Sequence, residues 1–195
     1  MPIDVRVVLH ICCGVCATEC VVRLRVAGYH VTGFFYNPNL HPDDEYRRRL
    51  DAARLLCARE EVVLEEDDRD TDAWEAVCGA RGDEPEGGAR CRECFLLRLR
   101  RTAAYAAHRG IPFFTTTLAI SPHKRTEDVF AAGRAAAAAT GTTFLDIDFK
   151  QRDGFRHACA RAVRYGLYRQ RYCGCRFSLR DAEHRRSAGT SGGRP

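Results

Sequence analysis

Lysine is nearly missing from this chain. Lys124 and Lys150 are the only two in 195 residues, so the formal net charge of +5 rests on arginine. Arginine pairs with phosphate and stacks on bases better than lysine does, and a mild basic excess is compatible with a nucleic-acid partner. A GC-rich coding bias towards Arg and Ala accounts for the same composition. No apolar run approaches the roughly 20 residues needed to span a bilayer. The opening residues carry Asp4 and Arg6 inside a short apolar run, with no basic segment before it. No signal peptide is read there, and a cytoplasmic location is expected. There is no glycine-rich phosphate loop after the first expected strand, no internal repeat and no sign of a second domain.

Cysteine, by contrast, is abundant, with eleven in the chain. The count is odd, the spacings are tight and no export signal is read. Clustered cysteines in a reducing compartment point to metal ligation or redox chemistry rather than a disulfide framework.

The hydrophobic pattern alternates strand and helix. Strands are expected at 5–11, 31–36, 62–64, 112–118 and 143–145, with helices at 15–26, 43–59, 72–78, 90–109 and 155–165 between and after them. Ser121-Pro122 supplies an N-cap and N1 pair for an alanine-rich helix reaching Thr140. Such alternation predicts one doubly wound α/β domain with a mostly parallel, Rossmann-like sheet over 1–186. The polar tail 187–195 is expected to be disordered. Ligands of such sheets sit beyond the carboxyl ends of the strands.

Three cysteine groups fall at informative places. Cys12, Cys13 and Cys16 occupy a strand-to-helix turn, where thiolates gain from the helix N-terminus. Gly14 between them is expected to free the backbone to aim the sulfurs. Cys91 and Cys94, at i and i+3, share a helix face and make half of a tetrahedral sulfur site. With Cys12 and Cys13 they give four thiolates from two loops, enough for a [4Fe–4S] cluster, and Zn²⁺ suits the same donors. Cys173-Gly174-Cys175 is a pair whose disulfide would be strained and readily reduced, or a further pair of metal ligands. Cys20, Cys57, Cys78 and Cys159 each stand alone and read as buried or incidental.

Polar clusters also mark the carboxyl edge. Tyr36, Asn37, Asn39 and His41 follow the second strand and are candidate substrate contacts, or an ordinary Asn-Pro turn. Thr115-Thr116-Thr117 and Ser121-Pro122-His123-Lys124 follow another strand; His123 and Lys124 are candidates for substrate phosphate. Arg161, Arg164, Arg169, Arg171, Arg176 and Arg180 interleave with Tyr165, Tyr168 and Tyr172. That pattern suits an unpaired nucleotide, or a solvated helix face.

Five motifs in order make the chain resemble the QueH family. They are Cys-Cys-x-x-Cys at 12–16, Phe-Phe-Tyr-Asn-Pro-Asn-Leu-His-Pro at 34–42, and Glu-Pro-Glu-Gly-Gly-Ala-Arg-Cys-Arg-Glu-Cys-Phe at 84–95. Thr-Thr-Thr-Leu-Ala-Ile-Ser-Pro-His-Lys at 115–124 and Tyr-Gly-Leu-Tyr-Arg-Gln-Arg-Tyr-Cys-Gly-Cys at 165–175 complete them. The resemblance implies reduction of epoxyqueuosine to queuosine at the wobble position of tRNA, with an electron donor of unspecified identity. It implies a [4Fe–4S] cluster on Cys12, Cys13, Cys91 and Cys94, and a redox-active disulfide between Cys173 and Cys175. It also implies a fold related to the nucleotide-binding HUP and PP-loop domains, with cysteines in place of the phosphate loop. One departure is visible: Gly14-Val15 stands where the family usually has Ala-Pro. Cys16 is held as an additional ligand, to a second iron.

Removing an epoxide oxygen takes two electrons and two protons, so an acid is needed. His41, Tyr36 and Tyr172 are the sequence candidates. An ATP-dependent tRNA-thiolating enzyme is a rival of similar fold, but it needs the missing phosphate loop. A zinc-stabilised RNA-binding module is another, and it leaves Cys173-Gly174-Cys175 unexplained.

Overall fold

The computed structural model describes residues 5–190, the side chains of 188–190 excepted. Strand β1 (Arg6–His10) carries the run Val7, Val8, Leu9, all fully buried, as expected of a strand covered on both faces. It is followed by α1 (Gly14–Val26), β2 (His30–Phe35), α2 (Asp43–Arg59), β3 (Val63–Glu66) and α3 (Thr71–Cys78). A 3-10 turn then leads to α4 (Ala89–His108), β4 (Phe113–Thr116), a second 3-10 turn at Thr117–Ile120, α5 (Thr126–Ala138) and β5 (Thr143–Phe144). Helices α6 (Gly154–Tyr165) and α7 (Arg176–Thr190) complete the described chain.

The five strands are all parallel, in the order β3-β2-β1-β4-β5. Parallel neighbours need crossover connections, and the helices supply them. Helix α1 packs on α2 and α6, while α4 packs on α3 and α5, so both faces of the sheet are covered. From β1 the chain winds outward to β2 and β3; from β4 it winds the other way to β5. The seam between β1 and β4 is therefore the topological switch point, where such sheets open a crevice at their carboxyl ends.

Three local expectations are corrected. The alanine-rich helix starts at Thr126, not at Ser121-Pro122. The Ser121 carbonyl instead accepts the Lys124 amide at 3.3 Å and closes a turn, and Glu127 and Asp128 in the first turn of α5 complement its dipole. Gly14 serves space rather than backbone freedom: a Cβ there would lie 2.4 Å from the Ala52 carbonyl oxygen of α2. Helix α7 had no counterpart among the expected elements. It reaches Thr190, past the 186 boundary, and residues 191–195 of the expected tail lie outside the described residues.

Candidate active site

The switch point brings the ends of β1 and β4 together through Cys12 and Thr117. The Cys12 amide donates to Thr117 Oγ1 at 3.0 Å, and the Thr117 hydroxyl donates to Cys12 Sγ at 3.2 Å. His10 and Thr116, the paired last residues of β1 and β4, also meet: the His10 ring lies 2.8 Å from Thr116 Oγ1 and 3.2 Å from the Tyr36 carbonyl. Burial, with Arg98 close by, depresses His10 to about 3, so this bridge is a neutral imidazole. Asn37 donates to the Ile11 carbonyl at 2.9 Å and accepts from Arg98 of α4. The turn after β1 is thereby fixed from three sides.

Cys13 stands in extended conformation as the N-cap of α1, and Cys16 lies in its first turn. The sulfur atoms of Cys12, Cys13 and Cys16 all fall within 4.8 Å of one another. Hydrogen bonding from the Cys13 and Cys16 thiols pulls Cys12 well below the ordinary thiol range. The same bonding pushes Cys13 up to about 12 and Cys16 well above its usual value. Cys12 is thus the most acidic of the three thiols. Gln170 donates to Cys13 Sγ at 3.0 Å.

A second group gathers around α4. Cys94 is buried with Trp74, Cys78, Cys175 and Phe177 in one apolar cluster. The Trp74 indole donates to Cys94 Sγ at 3.3 Å. Hydrogen bonding from Cys78, helped by Arg98 and opposed by burial, holds Cys94 down at about 6. Cys91 accepts the Gly87 amide at 3.2 Å. Cys78, expected to be buried or incidental, is fully buried, beside Cys94. Cys20 and Cys57 are buried and Cys159 is half-buried; Cys20 lies one helical turn after Cys16 on α1, near Cys12 and Cys13.

The segment holding Cys173 and Cys175 is pinned on both sides. Arg49, buried in α2, donates to the carbonyls of Cys173 at 2.8 Å and Tyr172 at 2.9 Å, with Glu45 at 2.7 Å behind it. The His41 amide donates to the Gly174 carbonyl at 2.8 Å. Gly174 has φ +129°, and a Cβ there would lie 2.5 Å from Leu40, so only glycine fits. Cys175 sits just before α7 and its sulfur accepts the Ser178 amide at 3.4 Å. All eleven cysteines are free thiols in this structure. Burial pushes Cys173 up to about 11, against the pull of Lys124.

A cavity of about 720 Å³ opens over the switch point. Cys12 and Cys16 line one wall, Cys173 and Tyr172 another, and Arg98, Gln170, His123 and Lys124 face it. Cys173 also borders a narrow cleft with Cys91 and Lys124. The cavity wall contains orphaned polar atoms: Arg98 Nε and Gln170 Oε1 are buried with no partner, and buried polar groups are otherwise nearly always paired. Burial opposes the Lys124 charge, but the sulfurs of Cys173, Cys12 and Cys16 outweigh it and hold the ammonium above its usual range.

Of the substrate candidates, the cavity brings together Tyr172, His123 and Lys124. Asn37 is fully buried with its amide engaged on both sides. Asn39 and His41 border a separate cavity with Arg69 and Arg176. Tyr36 lies under the Arg101 guanidinium, 5.8 Å from its ring centroid. The arginine–tyrosine interleaving has a structural explanation. Tyr165, Tyr168 and Tyr172 lie against Arg59, Arg48 and Arg49 of α2, and all three hydroxyls donate within the chain, to Glu60, Glu45 and the His41 carbonyl. Arg161, Arg176 and Arg180 pair with Glu19, Glu75 and Asp181. Only Arg169 and Arg171 of that set reach the cavity, joined by Arg185 of α7.

Sequence reasoning missed Arg49, Arg98 and Gln170 as parts of the site, and expected the Thr117 hydroxyl to meet substrate phosphate, whereas it holds Cys12. Among the described residues, Cys12, Cys13 and Cys16 are the one group of three or more metal-type donors this close, and they can hold a metal ion. Buried, converging thiols backed by cations fit a thiophilic metal or an iron–sulfur cluster.

A parallel α/β domain with thiols gathered at its switch point defines a Rossmann-like protein with a thiol centre able to hold a metal ion. The profile of the family described as "Epoxyqueuosine reductase QueH" matches residues 7–181, and the chain belongs to that family. The curated relative of that name from Acinetobacter baylyi is 34% identical over 177 residues, covering 90% of this chain and 81% of the relative. Those from Dehalococcoides mccartyi and Thermotoga maritima are 35% and 31% identical, each covering 89% of this chain and 92% and 90% of their own length. Among solved structures, one described as a predicted subunit of tRNA methyltransferase from Methanocaldococcus jannaschii aligns with a TM-score of 0.53 at 12% identity. It covers 80% of this chain and 76% of that one, and it supports the fold alone. No helix among the described residues is long and apolar enough to cross a membrane.

Proposed function

We propose that this enzyme reduces epoxyqueuosine to queuosine in tRNA, in the cytoplasm, using the cavity over the β1–β4 seam. The observation that carries this reading is that Cys173 shares that cavity with Cys12 and Cys16. Metal-type thiols and a separate redox-type thiol thus face one substrate space.

Cys12, Cys13, Cys91 and Cys94 would hold a [4Fe–4S] cluster, with Cys16 as an additional ligand to a second iron. Bound there, the cluster would supply single electrons and a Lewis-acidic iron. The chain's own residues do the rest. Cys173 and Cys175 exchange two electrons as dithiol and disulfide. Arg49 and Gly174 hold their loop at the cavity wall. Arg98 and Gln170 line the space the modified base would enter. At the mouth, Arg169, Arg171 and Arg185 have no ion-pair partner among the described residues, and exposed guanidinium groups of this kind suit the phosphates of an anticodon loop.

The reading is tested by loading the protein with iron and sulfide without oxygen and incubating it with epoxyqueuosine-containing tRNA and a chemical reductant. Mass spectrometry of the digested tRNA should show the modified nucleoside lighter by one oxygen. An intact cluster with unchanged nucleoside overturns the substrate assignment.

A further inference from the structure

None of the three proton-donor groups expected from the sequence brings an unengaged acid to the active cavity. His41 is exposed and borders a different cavity. Tyr36 lies beneath Arg101. Tyr172 lines the active cavity, but its hydroxyl donates to the His41 carbonyl.

Lys124 lines the active cavity with its ammonium unengaged. Its side chain lines both the main cavity with Cys12 and Cys16 and the narrow cleft with Cys91 and Cys173. Its ammonium has no hydrogen-bond or ion-pair partner among the described residues, while its backbone is held on both sides. The Lys124 amide donates to Ser121, and the Lys150 ammonium donates to the Lys124 carbonyl and, at 3.0 Å, to Thr126 Oγ1. Both lysines of an otherwise arginine-based chain therefore belong to one device. Arginine is always charged and does not release its proton in proteins, whereas an ammonium does. A position that carries lysine here is suited to proton donation, where charge alone would be served by arginine.

We propose that Lys124 is a catalytic residue that protonates the epoxide oxygen as the first carbon–oxygen bond opens. This rests on the epoxyqueuosine reductase reading above. Overall, the epoxide takes two electrons and two protons and becomes a carbon–carbon double bond and one water. The Cys173 and Cys175 thiols release those two electrons and two protons on closing to a disulfide. Lys124 gives its proton to the oxygen at the first bond cleavage and is reprotonated from that pool, and the second proton leaves with the oxygen as water when the second bond breaks.

The test compares wild type, Lys124→Arg and Lys124→Ala, each loaded with iron and sulfide. Iron content, the cluster's electron paramagnetic resonance and tRNA affinity are measured beside kcat. Lys124→Arg keeps the charge and is expected to lose about 10²–10⁴-fold in kcat with iron content and tRNA affinity unchanged. Lys124→Ala is expected to recover part of its kcat on addition of ethylammonium. A Lys124→Arg enzyme within threefold of wild-type kcat overturns the proposal, as does weakened tRNA binding with kcat intact at saturation. If Lys124→Arg loses iron, the rescue of Lys124→Ala decides: no recovery at full iron loading overturns the proposal. A wild type that removes no oxygen overturns the functional reading itself, and an active wild type keeps the two failures apart.

Discussion

Thr117 holds Cys12 twice, accepting its amide at 3.0 Å and donating its own hydroxyl to the sulfur at 3.2 Å. The two residues lie just past the ends of adjacent strands, β4 and β1, so this fully buried hydroxyl closes the switch point and aims its single proton at the Cys12 sulfur. Groups that orient and hydrogen-bond a metal ligand commonly change metal affinity about 10–100-fold when removed. Thr117→Val should therefore lose iron to a competing chelator faster than wild type by a factor in that range. Equal retention would show that Thr117 only packs.

Gly14 begins α1 against Ala52 of α2. An added methyl would lie 2.4 Å from the Ala52 carbonyl oxygen and 3.0 Å from its Cβ, and backbone cannot yield as a flexible side chain does. Overpacking of this kind costs about 1–3 kcal/mol. Gly14→Ala should lower the Tm by several degrees and disturb the Cys12–Cys13–Cys16 group. Val15, at the family's usual proline position, is buried beside it. The pair Gly14→Ala with Val15→Pro would recover stability if the two departures compensate each other. A Gly14→Ala protein as stable as wild type would mean that α1 shifts freely against α2.

Arg169, Arg171 and Arg185 ring the cavity mouth without acidic partners. Each phosphate contact on single-stranded nucleic acid contributes about 0.7 to the slope of log affinity against log salt. Changing all three to Gln should reduce that slope by about two and raise KM for tRNA while leaving kcat and iron content in place. An unchanged slope would remove these arginines from the RNA interface.

Cys57 supplies a pH-dependent check away from the site. Burial, with Glu60 nearby, pushes its thiol from 9.0 up to about 12. Between those two pH values the unfolded chain has lost this proton and the folded chain has kept it. The stabilisation is therefore fully present below pH 9 and falls away as pH rises towards 12. Folded protein at pH 8.5 should resist iodoacetamide at Cys57, whereas chain unfolded in guanidinium should react there. Equal labelling in the two states would contradict the burial.

The sequence was most informative where chemistry and periodicity coincide. The apolar run at 5–11 and its abrupt end at Cys12-Cys13 located both a central strand and the site, because parallel sheets place ligands at strand ends. Helix α7 was hidden because its exposed, charged surface has almost no apolar stripe: among its described side chains only Phe177 and Ser178 are buried. The tyrosines at 165, 168 and 172 misled for a related reason: aromatic and basic residues read as a nucleotide platform until α2 is known to supply Arg59, Arg48 and Arg49 against them. Arg49 and Arg98 carry no mark in a chain whose positive charge is nearly all arginine. Their roles come from burial and from what they hold, the Cys173 carbonyl and Asn37.

The most direct measurement is a single turnover. Cluster-loaded enzyme is reduced, freed of excess reductant without oxygen, and mixed with one equivalent of epoxyqueuosine tRNA; both molecules are then digested and weighed. The expected result is queuosine in the RNA, lighter by one oxygen, together with a peptide carrying Cys173 and Cys175 that has lost two hydrogens. Queuosine formed with both thiols still free would contradict the dithiol as the source of electrons, and neither change with the cluster intact would contradict the reaction.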